Sequence, residues 1–131
     1  MIEGFALLSV TLLLMLGWGR FEVRTFLRKH SEVVTAEHLV AFKSLARFNM
    51  HLALGYLLLG SVMIAWLIYM AHYDGLKGTL LGFAFNLPSL WLSLDIKALE
   101  VQSRTLPSSV ATEAEYARVS EAWVKKVFPN F

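Results

Sequence analysis

A chain of 131 residues in which 56% are hydrophobic and 17% charged departs from a soluble domain, where about 45–50% and about 25% are usual. Its formal charge of +2 is too small a field for nucleic-acid binding, so no nucleic-acid partner is expected. The absence of cysteine excludes disulfides, thiolate metal sites, a nucleophilic thiol and covalent attachment of c-type haem.

Gly4 to Gly19 is the first charge-free run, 16 residues long, and predicts a membrane span over about 3–20. A cleaved leader would open with a basic segment and end in a small-residue cleavage site. Here only Met1, Ile2 and Glu3 precede the run and Arg20 follows it, so a retained span is expected. Residues 21–50 read as a helical hairpin outside the membrane. Arg20, Arg24 and Arg28 form an i, i+4, i+8 stripe that continues the first helix. Ser31 to Thr35 reads as the turn, with Thr35 as N-cap and Glu37 in the favourable first turn. Leu39, Phe42, Leu45, Ala46, Asn49 and Leu52 then keep helical spacing into the next apolar run.

That run, Leu52 to Ala71, holds 20 consecutive uncharged residues. As a helix it would be ~30 Å long, the thickness of a bilayer's hydrocarbon core. A second span is therefore expected over about 51–72, within one helix from Ala36 to about His72. Tyr73 to Lys77 reads as a tight reversal with Gly75 in a left-handed position. Gly78 to Leu94 is a third uncharged run, of 17 residues, and predicts a span over 78–95 with Pro88 inside it. Residues 96–131 follow as a further segment. The third helix can run on through Lys97, Glu100 and Arg104 before Leu106–Ser109 breaks it. Thr112 and Glu115 form a capping box for a last amphipathic helix, with Tyr116, Val119, Trp123 and Val127 on one face. The expected fold is all-α, one membrane domain with three transmembrane helices, a hairpin extension and a C-terminal amphipathic helix.

Charge sets the expected orientation. Of the 12 lysines and arginines, only Lys77 lies in the Tyr73–Lys77 turn; the rest fall in the hairpin or after the third span. The positive-inside rule then puts the N-terminus outside and the C-terminus in the cytoplasm of an inner membrane. The last helix would lie on or close to the cytoplasmic face, as a weakly membrane-bound surface helix or docked on the hairpin or on a partner. Phe5, Tyr69 and Tyr73 read as an outer aromatic belt and Trp18 and Trp91 as an inner one, with Tyr56 and Trp66 packing deeper.

Four histidines are the first candidates for chemistry. His51 and His72 flank the second span, 21 residues and roughly 31 Å apart, too far to share a metal. His51 could be a single axial ligand to a haem or chlorophyll. His30 and His38 fall in the hairpin tip and read as solvated. Gly78, Gly82, Asn86, Ser89 and Ser93 repeat at three- to four-residue spacing, a small-residue face for packing on another helix. Its partner is the second span or another protein, with Asn86 hydrogen-bonding across or lining a polar path. Asp95 is expected to pair with Arg47 or Arg20 at the membrane boundary. Phosphate-binding loops, Ser/His/Asp arrangements and paired acids are absent from the sequence. The composition and pattern suit a non-catalytic accessory subunit of a larger membrane complex, such as a respiratory or photosynthetic assembly. Two rivals are a haem- or chlorophyll-binding subunit using His51 and a small homo-oligomeric channel or carrier.

Overall fold

The computed structural model describes residues 1–131. Four helices follow one another: α1 (Ile2–Lys29), α2 (Ala36–Tyr73), α3 (Gly75–Ser103) and α4 (Glu113–Lys125). The first three are long and apolar enough to cross a membrane, which makes this an all-α, multi-pass membrane protein. At 38 residues α2 is ~57 Å long, nearly twice a hydrocarbon core of ~30 Å. Its surplus first half stands beside the end of α1 as a stalk.

Local chemistry explains the boundaries. Thr35 Oγ1 accepts from the His38 amide at 3.2 Å and so caps α2. At the far end Asp74 both closes α2 and opens α3, and Gly75 turns the chain with φ +64°. That left-handed conformation strains any residue bearing a Cβ. Pro88 stands inside α3, which remains helical from Gly75 through Ser103. The Ala84 carbonyl, four residues earlier, thereby loses its proline-side partner.

Two cores hold the helices together, one in each half. In the membrane-crossing half, Phe5, Met63 and Met70 form a small cluster. Phe5 is fully buried, so it is not part of an outer aromatic belt. Gly82 explains why: a Cβ there would stand 3.3 Å from Phe5 Cε1 and 2.5 Å from Leu67 Cδ2. The missing side chain is the space that the Phe5 ring and Leu67 occupy. The small face of α3 thus meets α1 as well as α2, and α1 is the helix it packs on most closely. In lipid this close approach, rather than a hydrophobic drive, is what holds spans together.

The stalk half holds the larger core. Val23 and Phe26 of α1, Phe42, Leu45 and Ala46 of α2, and Tyr116 and Val119 of α4 surround the turn residue Val33. A core of this kind draws on the burial of apolar surface away from water. Phe42 is its hub, with ring centroids 4.7 Å from Tyr116, 5.8 Å from Trp123 and 6.0 Å from Phe26. Helix α4 therefore docks on the stalk. Its buried face is Tyr116, Val119 and Ala122, with Trp123 packed at the edge, while Val127 lies beyond the helix and is exposed.

The connection from α3 to α4 is clamped to the stalk turn. The Val33 amide donates to the Pro107 carbonyl at 2.8 Å, and Val33 and Ser108 form an isolated parallel bridge. Thr112 Oγ1 donates to the Val33 carbonyl at 2.5 Å and accepts from the Ser109 amide at 3.2 Å. Thr112 does occupy the N-cap position of α4, but its side chain makes no capping bond. The expected capping box does not form, because the hydroxyl is spent on Val33 and Ser109. Glu115 in turn reaches Lys43 and Arg118.

Candidate functional site

Polar side chains from α1, α2, α3 and the segment after α4 gather where the stalk meets the membrane-crossing half. Arg20 of α1 donates through Nε to Asp95 Oδ2 of α3, with both side chains about one-third exposed. Arg47 is engaged elsewhere: its guanidinium donates to the Phe131 carbonyl and lies 5.5 Å from that ring's centroid. Asn49 is buried and donates to the Leu45 carbonyl at 3.0 Å, and about two turns further on the Tyr56 hydroxyl donates to the Met15 carbonyl at 3.1 Å. The Arg20–Asp95 bond ties α1 to α3, and the Tyr56–Met15 bond ties α2 to α1.

Just beyond these bonds lies a cleft of about 290 Å³ between α2, α3 and the end of α4. Lys97 and Glu100 of α3 and its C-cap Arg104 border it, one per turn, and Lys126 enters from the segment after α4. Its apolar lining includes Met50, Leu54 and Leu57 of α2 and Val124 and Val127. The Arg104 guanidinium lies 5.8 Å from the Trp123 ring centroid, and its Nε donates back to the Glu100 carbonyl at 3.3 Å. Burial pushes the Glu100 carboxyl above the usual carboxylate range, against the lowering pull of Lys97 and Arg104. No cation lies within ion-pair distance of it.

The small-residue face of α3 is only partly used as expected. Gly78, Gly82 and Ser89 are buried, Gly82 against Leu67 and Phe5 of the other helices and Gly78 against the Asp74 side chain. Asn86 does not bond across to a neighbour; its Nδ2 donates to the Gly82 carbonyl of its own helix at 2.9 Å. A short amide reaches the carbonyl four residues back, and Phe5 fills the space beside Gly82. Ser93 likewise bonds within α3, to the Leu90 carbonyl at 2.8 Å, and the buried Ser89 hydroxyl has no hydrogen-bond partner.

Among the histidines, His51 is exposed, and its Nδ1 lies 2.7 Å from the Arg47 carbonyl. That contact assigns the proton to Nδ1 and leaves the Nε2 lone pair free for a ligand. His30 and His38 are not independent solvated residues. The hairpin brings their rings edge to face with centroids 5.2 Å apart, His30 Nδ1 meeting the Phe26 carbonyl and His38 Nδ1 accepting from the Val34 amide. No three histidines or carboxylates gather as metal ligands anywhere in the chain.

No family model, curated protein or solved structure matches the chain. Sequence reasoning missed the cleft. The spacing of Lys97, Glu100 and Arg104 was a usable sign of one polar stripe. Nothing in the pattern placed Lys126, more than twenty residues later, beside it. Chemically the cleft can hold a negatively charged group against its cations while its lower lining receives hydrocarbon.

Proposed function

We propose that the chain is a non-catalytic subunit of a larger membrane assembly, seated in an inner membrane with its stalk and α4 on the cytoplasmic side. The lysine and arginine distribution supports that orientation. The observation that carries the subunit reading is the contrast between the two cores. The stalk half is filled like a soluble domain, whereas the membrane half buries few side chains, and from Ala53 to Tyr69 of α2 only Met63 is buried. Leu58, Ile64 and Ile68 on that stretch are more than 60% exposed. A wide apolar face beside a rigid, separately stabilised stalk suits a part that other helices cover and that holds a fixed position among them. An energy-converting respiratory or photosynthetic complex is the setting we favour.

The test is the native mass of the tagged chain released from its own membranes in mild detergent. A particle of several different subunits is the expected result. A single small multiple of 14.8 kDa refutes the reading and favours a homo-oligomeric channel or carrier. A second reading draws on the exposed His51, whose unengaged Nε2 suits axial ligation of a haem or chlorophyll shared with a neighbouring subunit. For that reading the purified particle must show haem or pigment absorption that His51→Ala abolishes. Unchanged absorption in the variant overturns it.

A further inference from the structure

We infer that the cleft between α2, α3 and the end of α4 is a headgroup site for an anionic phospholipid. The inference stands on its own residues and does not depend on the subunit reading. Its first support is position. Asp95 and Arg20 pair at the end of the uncharged run of α3, and Lys97, Glu100 and Arg104 lie beyond them. By helix rise these residues stand about 3–14 Å past Asp95, the depth of lipid headgroups. From the same cleft Leu54 and Leu57 continue down α2 into the uncharged stretch, where an acyl chain would lie.

Its second support is charge. Lys97, Arg104 and Lys126 border the cleft against one carboxylate, Glu100, and none of the three cations is ion-paired within the protein. Arg104 is held in place by its backbone bond and by Trp123, so its fork is set before a ligand arrives. Cations placed this way between helices at the membrane boundary suit a phosphate diester. Burial disfavours the charged form of Glu100, which weakens the one repulsive group.

Its third support is the path of α4. The helix starts at the stalk tip, where Thr112 bonds Val33, and ends beside Asn49, Ala53 and Leu54 at the membrane boundary. That descent delivers Val124, Val127 and Phe128 there with 58–66% of their surfaces exposed. Exposed apolar side chains next to Lys126 are what an interfacial segment presents to lipid. A free phosphate would use the cations and leave this hydrocarbon surface uncovered, so the lipid is the occupant we commit to.

The experiment is native mass spectrometry of the full chain in detergent, titrated separately with phosphatidylglycerol, phosphatidylcholine and inorganic phosphate. One phosphatidylglycerol adduct should form in preference to phosphatidylcholine. Lys97→Gln with Lys126→Gln should weaken it about thirtyfold, at about fivefold per cation near a lipid surface. Both lysines are exposed and make no ion pair, so this variant keeps the fold. Glu100→Gln should tighten the adduct, and Lys125→Gln, whose amine pairs with Glu121, should leave it unchanged. Equal binding of the two lipids overturns the inference, as does equal weakening by Lys125→Gln. Full displacement by millimolar phosphate also overturns it, reducing the site to a simple anion site.

Discussion

Replacing Tyr116 by phenylalanine removes one doubly hydrogen-bonded oxygen from the stalk core. The ring is 6% exposed and packs 4.7 Å from Phe42, and phenylalanine keeps that packing. The hydroxyl donates to the Ser103 carbonyl at 2.6 Å and accepts from the Leu106 amide at 3.0 Å. It thereby ties the end of α3 to the first turn of α4. Each such bond contributes about 1 kcal/mol net, and a buried group left without a partner costs about 1–3 kcal/mol. The expected loss is therefore about 2–3 kcal/mol, concentrated in the connection from Arg104 to Thr112. At ~1.4 kcal/mol per tenfold, the open form of that connection becomes about 30–150 times more populated. Hydrogen exchange at the Leu106 amide reads this directly, with exchange in the middle of α2 as the internal reference. An exchange rate at Leu106 within twofold of the wild type, with α4 still docked, would refute the role assigned to the hydroxyl. Phe42→Ala offers a scale for comparison. It should cost about 3–5 kcal/mol by opening a cavity, and it should loosen α4 and the α1–α2 turn together.

Three further outcomes follow from other contacts. Gly82→Ala should destabilise the membrane half by about 1–3 kcal/mol, since the new methyl meets Leu67 and Phe5, whereas Gly60→Ala, with nothing within 4 Å, should be neutral. Thermal aggregation midpoints in detergent distinguish the two, and equal midpoints would count against the packing described. A double-mutant cycle of Arg20→Gln and Asp95→Asn should give about 1 kcal/mol of coupling, while Arg47→Gln and Asp95→Asn should add within about 0.5 kcal/mol. Hydrogen bonds from Arg118, then from Lys43, hold the Glu115 carboxyl down to about 2. A carboxylate lowered in the folded state stabilises above its unfolded pKa, and the contribution is lost as pH falls through the folded value. Docking of α4, followed by its amide exchange, should therefore weaken between about pH 4.5 and about pH 2. Glu115→Gln should flatten that dependence, and an unchanged profile would show that other carboxylates cause it.

What could be read from the sequence was whatever is decided within one turn or one helix. Uncharged runs mark three helices apolar enough to cross a membrane because hydrocarbon tolerates no unpaired charge, and α2 is longer than a hydrocarbon core requires. Thr35 caps α2 and Gly75 takes the left-handed turn for reasons contained in their own side chains. The choice among partners was not legible. Asp95 had two candidate arginines, and only the packing of α1 along α3 selected Arg20. Phe5 had the composition of an interfacial aromatic, and only the slot at Gly82 drew it inside. Thr112 carried a capping motif, yet the Val33 carbonyl, 79 residues away, took its hydroxyl. The cleft that gathers Lys97, Arg104 and Lys126 arises only once α4 has folded back along α2 to the membrane boundary. Local propensity and hydropathy decide which segments are helices and which lie in lipid. Which side chains meet is decided by how those helices pack, because each meeting joins residues whose spacing in the chain carries no trace of it.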